Sequence, residues 1–237
     1  MEIASAKLDR LSDLPDGLLL RIISLASVGS RTLVQASLLS RRWRHLWREV
    51  PRLEIDPREF QLEEAAVATT RHKKHDKRNY YLEEWDRFEK FTDNLLLRHR
   101  PDLPLDTLRV HIVNPPQGHG RRNQGDACRW VRHCLERCHP VELDVRNCFS
   151  KAVVDLRCFG RGTDLTRLTT LRLSGVVLRS GLAHYLGESG CPRLEHLELE
   201  DCCFGFTELV ASHTLKTLAV SYPMPTEGLY NVNRGVT

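Results

Sequence analysis

The sequence predicts an α+β protein in which a small all-α unit is followed by an α/β solenoid of short repeats. Apolar residues recur at helical spacing from Leu11 to Trp47, and an L-x-x-L-x-L pattern recurs in the second half of the chain. A third segment with helical periodicity and several aromatic residues lies between them. We therefore divide the chain into a disordered tail, the helical unit, a connecting region (strand, basic loop and packing helix), the solenoid and an uncapped tail. Their boundaries are 1–10, 11–50, 51–100, 101–222 and 223–237.

The composition is that of a globular protein. Of the 237 residues, 41% are hydrophobic and 28% are charged, close to the averages of soluble domains. We expect no membrane association, because no apolar run reaches the ~18 residues of a spanning helix. The N-terminus has acids and no apolar core, which argues against a secretory signal. The eight cysteines are then expected to be reduced thiols, in the nucleus and/or the cytoplasm. A net charge of +4 permits nucleic-acid contact without arguing for it.

The helical unit begins at Leu14-Pro15, since proline is suited to a first helical turn. Leu18, Ile22 and Leu25 then follow at i, i+4 and i+7 and form an apolar face. A break at 27–30 separates this helix from a second apolar series that continues to Trp47. Units of about 40 residues seldom fold without a metal, a disulfide or a partner. Because 11–47 contains no cysteine, we expect a partner.

Leu14-Pro15, the Leu18/Ile22/Leu25 face and the run LSRRWRHLW at 39–47 resemble the F-box, and the last run is similar to plant members. Val28-Gly29 stands where the family usually has a second Leu-Pro. The resemblance implies docking on the Skp adaptor of a cullin-type ubiquitin ligase. The alternative is a set of ordinary core helices of an unrelated domain. The adaptor-binding residues that the resemblance implies are Leu11, Leu14, Pro15, Leu18, Ile22, Ile23, Leu38, Trp43, Leu46 and Trp47.

The connecting region has three predicted parts. Residues 51–57 alternate apolar and polar between two prolines, which indicates a short strand. The basic run at 71–78 is typical of an exposed loop; nuclear import or RNA binding is an alternative use of it. From 80 to 100 the helical period returns, with Trp85, Phe88, Phe91 and Leu95 on one stripe. These aromatic residues are expected to pack in a core.

The second half of the chain contains five L-x-x-L-x-L-like units, at 105–110, 140–145, 168–173, 194–199 and 215–220. This pattern is that of leucine-rich repeats, in which each unit supplies one strand and a return segment. Alternate strand residues would point inward, and the others outward. Two return segments are predicted to be helical, with apolar faces formed by Trp130, Val131, Cys134, Leu135 and Cys138 and by Leu182, Tyr185 and Leu186. Cys148 and Cys202 occupy the position at which such repeats take Asn or Cys.

The cysteines and histidines form no convincing metal-binding pattern. Cys128, Cys134, Cys138 and His139, with His72 and His75, are the candidates, but no CxxC pair occurs. Cys134 and Cys138 lie on the apolar helix face and are interpreted as buried packing residues. No phosphate-binding glycine loop, GxSxG or HExxH motif is present either. We therefore predict no catalytic residue, no metal and no cofactor.

The two resemblances together predict a plant F-box protein with leucine-rich repeats, of a type that would lack its C-terminal domain. Such a protein is a non-catalytic, substrate-recognition subunit of a Skp–cullin–F-box ubiquitin ligase. The alternatives are a Skp-binding adaptor that recruits no cullin and a nucleic-acid-binding protein. The outward residues expected to hold the target are Arg172, Glu198, Glu200 and Lys216. Residues 223–237 carry no repeat, so we expect a shortened form with a marginal strand at 215–220 and a disordered end.

Overall fold

The structure is a computed structural model, and it describes about two thirds of the chain. The described residues are 13–26, 28–38, 41–60, 74–100, 103–112, 123–147, 154–155, 164–178, 186, 190–204 and 212–221. The architecture is mixed helix and sheet, with the helical unit at the N-terminus. No helix within the described ranges combines the length and the apolar character needed to span a membrane.

Within the described residues, three short helices come first, two longer helices separate the first three strands, and the remaining elements are strands. The helices are α1 (Asp16–Leu25), α2 (Ser30–Ala36), α3 (Trp43–Leu46), α4 (Lys74–Arg98) and α5 (Asn123–Cys138), with 3₁₀ turns at Trp47–Glu49 and Pro57–Phe60. The strands are β1 (Arg52–Ile55), β2 (Thr107–Ile112), β3 (Glu142–Asn147), β4 (Val154–Asp155), β5 (Thr170–Ser174), β6 (Val176–Leu178), β7 (His196–Glu200), β8 (Cys203–Phe204) and β9 (Thr217–Ser221).

The larger of two sheets has the strand order β1-β2-β3-β5-β7-β9, and every neighbouring pair is parallel. All five strands predicted from the repeats are present, and the short strand predicted at 51–57 is their first neighbour. A smaller parallel sheet, β4-β6-β8, consists of the short strands that follow three of these repeats. Strands in sequential order, side by side and parallel, are what consecutive repeats produce when each stacks on the one before.

Two apolar ladders cross the larger sheet because each strand contributes residues at the same register. Their members on β1 to β7 are all buried, with exposed fractions of 6% or less. One ladder consists of Leu53, Leu108, Leu143, Leu171, Leu197 and Leu218. The other consists of Ile55, Val110, Val145, Leu173, Leu199 and Val220. These ladders form the interior of the protein.

Helices α4 and α5 pack over the interior side of the sheet through an aromatic cluster. Phe88 is at its centre, with ring centroids 5.5 Å from Phe60, 5.4 Å from Trp85 and 5.3 Å from Trp130, all at steep angles. Such edge-to-face contacts are favourable beyond the area that they bury. The aromatic stripe predicted on α4 is thus a packing surface, as expected. The five residues predicted on one face of α5 are all buried as well.

The structure corrects the prediction that the basic run at 71–78 is a loop. From Lys74 onward the run is the first part of α4; residues 71–73 lie outside the described ranges. The physical reason is that lysine and arginine are good helix formers, and extending an anchored helix by one residue adds one hydrogen bond. A charge run therefore does not by itself end a helix. The RNA-binding and nuclear-import alternatives for this run remain predictions.

The return segments are only partly described. α5 connects β2 to β3, but Leu182, Tyr185 and Cys148 lie outside the described residues; Leu186 is buried. Cys202 is 3% exposed, and its thiol lies 3.3 Å from the Leu173 carbonyl oxygen. A repeated strand-and-helix solenoid is therefore still a prediction; the structure shows the parallel sheet. The 223–237 tail and residues 1–10 also lie outside the described ranges.

Candidate docking face and charged sheet face

The side of α1 that faces away from the core carries three large apolar residues in the open. Leu18 is 49% exposed, Ile22 43% and Leu25 74%, and their i, i+4, i+7 spacing places them on one face of the helix. We call this set the α1 face. Leu38, which follows α2, is 85% exposed. Most soluble proteins expose few adjacent apolar residues, and such sets usually mark a binding surface.

The other predicted adaptor-binding residues fall into two groups. Leu14 and Trp43 are half-buried and Pro15 is exposed, so all three retain some accessible surface. Ile23, Leu46 and Trp47 are between 4% and 9% exposed and belong to the core. In this conformation those three support the α1 face from beneath, and the structure does not bring them to the surface with Leu18 and Ile22. Leu11 lies outside the described residues.

α1 is held in place at its N-terminal end. Its first turn begins after Pro15, whose carbonyl accepts the amides of Leu18 and Leu19 at 3.0 and 3.1 Å. The guanidinium of Arg42 binds the Asp16 carboxylate at 2.6 Å and donates to the Leu14 carbonyl. Arg42, the second of the two arginines before Trp43, thus holds the start of α1 in place.

The turn at Pro57–Phe60 caps α2. The backbone amide of Arg31 donates to Glu59 at 2.8 Å, which satisfies one of the amides that a helix start leaves free. The Arg31 guanidinium donates to the Glu59 carbonyl and lies 4.4 Å from the centre of the Phe60 ring. Burial raises the pKa of the Glu59 carboxyl, against the opposing effect of the Arg31 amide. This junction ties the helical unit to the segment that follows β1.

We expect Gly29→Ala to destabilise the protein by about 1–2 kcal/mol, the usual loss when a helix cap is broken. A Cβ at this position would lie 1.8 Å from Oε1 of Glu59, so the carboxylate would have to leave the Arg31 amide. Urea denaturation compares the variant with Gly17→Ala, where a Cβ meets no atom within 4 Å. Equal stability of the two variants would show that Glu59 can move away at no cost.

The solvent face of the larger sheet carries a row of charges of alternating sign. In strand order the row reads Glu54, Arg109, Asp144, Arg172, Glu198 and then Ala219. Opposite charges side by side across strands are favourable, whereas like charges would repel. Arg172 lies 3.2 Å from Glu198 and 3.6 Å from Glu142. Arg172 and Glu198, two of the four predicted target-binding residues, therefore form an ion pair with each other.

The centre of this row is Asp144, a residue that the sequence analysis missed. It is only 2% exposed, and two guanidiniums cover it, Arg109 at 3.3 Å and Arg146 at 2.9 Å. A buried carboxylate needs such partners, because leaving it unpaired would be costly. Arg109 also lies 3.6 Å from Glu54, so the arginines link the carboxylates of neighbouring strands. The register of the repeats could have revealed this arrangement, since 109, 144 and 172 occupy equivalent positions.

The part of the solvent face that β7 forms is acidic. Glu200 and Asp201 are exposed beside Glu198, and Lys216 lies 2.9 Å from Glu195. Glu200 and Lys216, the other two predicted target-binding residues, are therefore both at the surface, though Lys216 already has an acidic partner. The solvent face thus changes from an arginine-rich centre to an acidic end.

Glu54, Asp56 and His111 bring ligand-type atoms within 4.8 Å of one another. His111 is buried; its Nδ1 is 3.2 Å from the Arg58 guanidinium and its Nε2 is 3.1 Å from Glu54. Because a guanidinium only donates, Nδ1 must accept and the proton lies on Nε2, which donates to Glu54. Arg58 also binds both carboxylate oxygens of Asp56. Arg58 and Arg109, which lies 3.6 Å from Glu54, thus place two positive charges of the chain itself against the two carboxylates of this cluster.

We expect this cluster to make stability fall in acid. The hydrogen bond from His111 holds the pKa of Glu54 below its ordinary value of 4.5. A lowered carboxyl pKa gives stability that is present above the unfolded pKa and is lost as pH falls through the folded one. Unfolding free energies measured below pH 4.5 should therefore fall less steeply for Glu54→Gln than for wild type. Glu136→Gln, on the exposed side of α5, should keep the wild-type slope.

The cysteines of α5 are inside the protein. Cys134 and Cys138 are 0% and 3% exposed, and the Cys138 sulfur lies 3.9 Å from Nδ1 of His99. The hydrogen-bond contacts with Cys134 and then with His99 lower the pKa of Cys138, while the contact with Cys138 raises the pKa of Cys134. Their burial agrees with the interpretation as packing residues.

Known proteins resemble both the helical unit and the longer chain. Residues 11–54 match the model of the F-box domain family. The meiotic F-box protein MOF of Oryza sativa subsp. japonica is 37% identical over 224 residues, which cover 91% of this chain and 41% of that protein. A probable FBD-associated F-box protein of Arabidopsis thaliana is 28% identical over 206 residues, 86% of this chain and 40% of that protein.

A putative F-box/FBD/LRR-repeat protein of Arabidopsis thaliana is 28% identical over 170 residues, which cover 71% of this chain and 31% of that protein. The chain spans less than half the length of each of these relatives. No solved structure matches it. The α1 face lies inside the segment that matches the F-box model. The chain therefore contains an F-box domain and is related over most of its length to plant F-box proteins, among them proteins of the F-box/FBD/LRR-repeat type.

Proposed function

We propose that this protein is a non-catalytic, substrate-recognition subunit of a Skp–cullin–F-box ubiquitin ligase. The observation that carries the proposal is the α1 face, because an apolar helix surface lies open within the F-box segment. In this proposal the face, with Leu38, docks in an apolar groove of the Skp-type adaptor. Helices commonly bind grooves through anchors at i, i+4 and i+7, and a few buried apolar side chains carry most of the affinity of such an interface.

The proposed second part is a leucine-rich-repeat solenoid that holds the target protein. Supporting this are the sequential parallel strands and the two apolar ladders that cross them. Helix α5 between β2 and β3 supplies one return segment of the expected kind. Each repeat would then bury its apolar face only against its neighbours.

The solvent face of the sheet is the proposed target-binding surface. To Arg172, Glu198, Glu200 and Lys216 the structure adds Arg109 and Arg146, which are about half exposed over the buried Asp144. Alternating charges of this kind give specificity for a complementary partner more than raw affinity. A target held there would be kept close to the ubiquitin-loaded enzyme, which raises its effective concentration. The protein itself would need no active site.

Co-purification with a plant Skp-type adaptor, followed by addition of a cullin, tests this function. The proposal expects the chain to bind the adaptor and to be retained with it on the immobilised cullin. A chain that binds the adaptor but is not retained with it on the immobilised cullin would instead be a Skp-binding adaptor that recruits no cullin. If the chain does not bind the adaptor, both adaptor-based functions are wrong. A useful control is the adaptor–cullin pair without the chain.

A further inference from the structure

A small cavity lies where the helical unit meets the solvent face of the larger sheet; we call it the junction cavity. The last turn of α1, α2 and the first residues of β1 to β3 contribute to its walls. Its volume is about 80 Å³, whereas an engineered apolar cavity of ~150 Å³ can hold benzene. Typical small-molecule sites are larger still, at roughly 300–1,000 Å³. The junction cavity therefore has room for about one branched aliphatic side chain.

Part of the lining of the junction cavity is apolar. Four of these residues belong to the buried core and are at most 9% exposed: Ile23, Leu33, Val50 and Leu53. Val28, between α1 and α2, also lines the cavity and is 37% exposed. Moving an aliphatic side chain from water onto such a surface is favourable. The size and this part of the lining both fit a small apolar group.

The rest of the lining includes four charged residues, Arg52, Glu54, Arg109 and Glu142. Arg109 lies 3.6 Å from Glu54. Glu142 lies 3.6 Å from Arg172, on the neighbouring strand. Three of the four charged residues of the lining are therefore already matched by an opposite charge of the chain itself.

Arg52 is the fourth charged residue, and it differs from the other three. It is exposed, and its guanidinium donates to the Ser24 carbonyl at 3.0 Å. Within the part of the chain that the structure describes, no carboxylate pairs with it. A carbonyl oxygen carries no formal charge and takes one of the five N–H donors of a guanidinium. The positive charge of Arg52 and most of its donors are therefore open to a ligand, and a carboxylate matches them best.

The aliphatic group and the carboxylate of such a ligand have to belong to the same residue. The cavity holds about one side chain, and Arg52 lines that same cavity. In an extended peptide the next side chain points to the opposite side, and the one after it lies about 7 Å further along. In a polypeptide, the residue that carries both an aliphatic side chain and a carboxylate on one Cα is the C-terminal residue.

We propose that the junction cavity binds the C-terminal residue of a target protein, with a valine-sized side chain inside and the terminal carboxylate on Arg52. Capture of a C-terminal carboxylate is a known mode of peptide recognition. The preceding residues of the target would then lie along the solvent face of the sheet, onto which β1 to β3 present the outer part of the cavity. This inference rests on the proposed function, because it names the part of the target that the solvent face would hold.

Selection from a library of random heptapeptides with free C-termini, on the immobilised full chain, tests this site. We expect valine or isoleucine to be enriched at the last position. A selected peptide made as its C-terminal amide should bind roughly tenfold more weakly or worse, because the amide has no charge. Enrichment of aromatic or charged last residues, no enrichment, or equal binding of the amide would overturn the proposal. So would N-acetylvaline that competes as tightly as the whole peptide, since the ligand would then be a small carboxylate.

Two substitutions in the cavity locate the bound peptide. Arg52→Gln can still donate to the Ser24 carbonyl but has no charge, so it should weaken the free-acid peptide roughly tenfold and leave the amide unchanged. The control is Arg87→Gln, on α4 and away from the cavity, where the arginine side chain is 64% exposed. Thr107→Phe should block the cavity that Thr107 lines, whereas Thr107→Ser should keep it open. Wild-type binding by Arg52→Gln would overturn the proposal.

Adaptor co-purification on the same proteins separates this inference from the proposed function. Arg52→Gln should retain the adaptor, because Arg52 is not part of the α1 face, and circular dichroism checks that each variant is folded. A chain that binds the adaptor but selects no C-terminal peptide would overturn the junction cavity as a target site and leave the ligase function standing. Binding of the selected peptide without the adaptor would support the cavity and overturn the ligase function.

Discussion

Replacing both Leu18 and Ile22 with alanine is expected to weaken adaptor binding by a factor of several hundred or more. Truncating a buried hot-spot side chain costs roughly 2 kcal/mol or more, and about 1.4 kcal/mol corresponds to a factor of ten. Both residues are more than 40% exposed in the free chain, so the loss should come from the interface. Isothermal titration with the purified adaptor measures it.

Stability and specificity need a control in the same experiment. The double variant should melt within a few degrees of wild type, because the exposed side chains contribute little to the core. Leu97→Ala is the matched control, since Leu97 is 73% exposed on α4 and lies outside the F-box segment. It should bind like wild type. Undiminished adaptor binding by the Leu18/Ile22 variant would falsify the proposed use of the α1 face.

Phe88→Ala is expected to lower the free energy of unfolding by about 3–5 kcal/mol, the usual cost of removing a buried aromatic ring. Phe88 is 2% exposed and contacts rings from the Pro57–Phe60 turn and from α5. Removing the ring would therefore leave a void between the turn that caps α2 and the helices that cover the sheet. With a total stability of typically 5–15 kcal/mol, such a change could leave much of the protein unfolded at 37 °C.

Guanidinium denaturation followed by tryptophan fluorescence measures this change. Phe88→Leu is the appropriate comparison, because it keeps most of the volume and should cost clearly less. A loss below 1 kcal/mol for the alanine variant would mean that the neighbouring rings collapse into the space. A large loss in both variants would instead indicate that the ring–ring geometry, rather than the volume, stabilises the cluster.

The sheet could be predicted from the sequence because the pattern of leucines that specifies each strand is local and recurs in every repeat. Leu171 and Leu197 recur at equivalent places in their repeats, and each is buried at the same register. Inward and outward positions then follow from the two-residue period of a strand. The start of α4 was missed for the opposite reason. Nothing in a run of lysines and arginines marks whether a helix continues, and the aromatic stripe that anchors α4 lies further along the chain.

The candidate site could be predicted only in part. The helical unit has apolar residues on more than one side of α1, such as Ile22 and Ile23, and spacing alone does not say which side meets the sheet. The structure places Ile23 inside and leaves Ile22 open. The shared carboxylate of Asp144 depends on pairing between strands about 35 residues apart. Such contacts become visible only when the repeats are aligned in register.

The hydrogen bond between Ser30 and the amide of Glu54 also bears on the order of folding. Neighbouring strands near the C-terminal end pair across about 21 residues, whereas β1 and β2 pair across about 55. Closing the longer loop costs more chain entropy, and non-local parallel pairing is slow. We therefore expect the repeats to assemble first and β1 to join last. Because α2 lies on the edge that β1 provides, the docking helices would become fixed only when the rest of the sheet is complete.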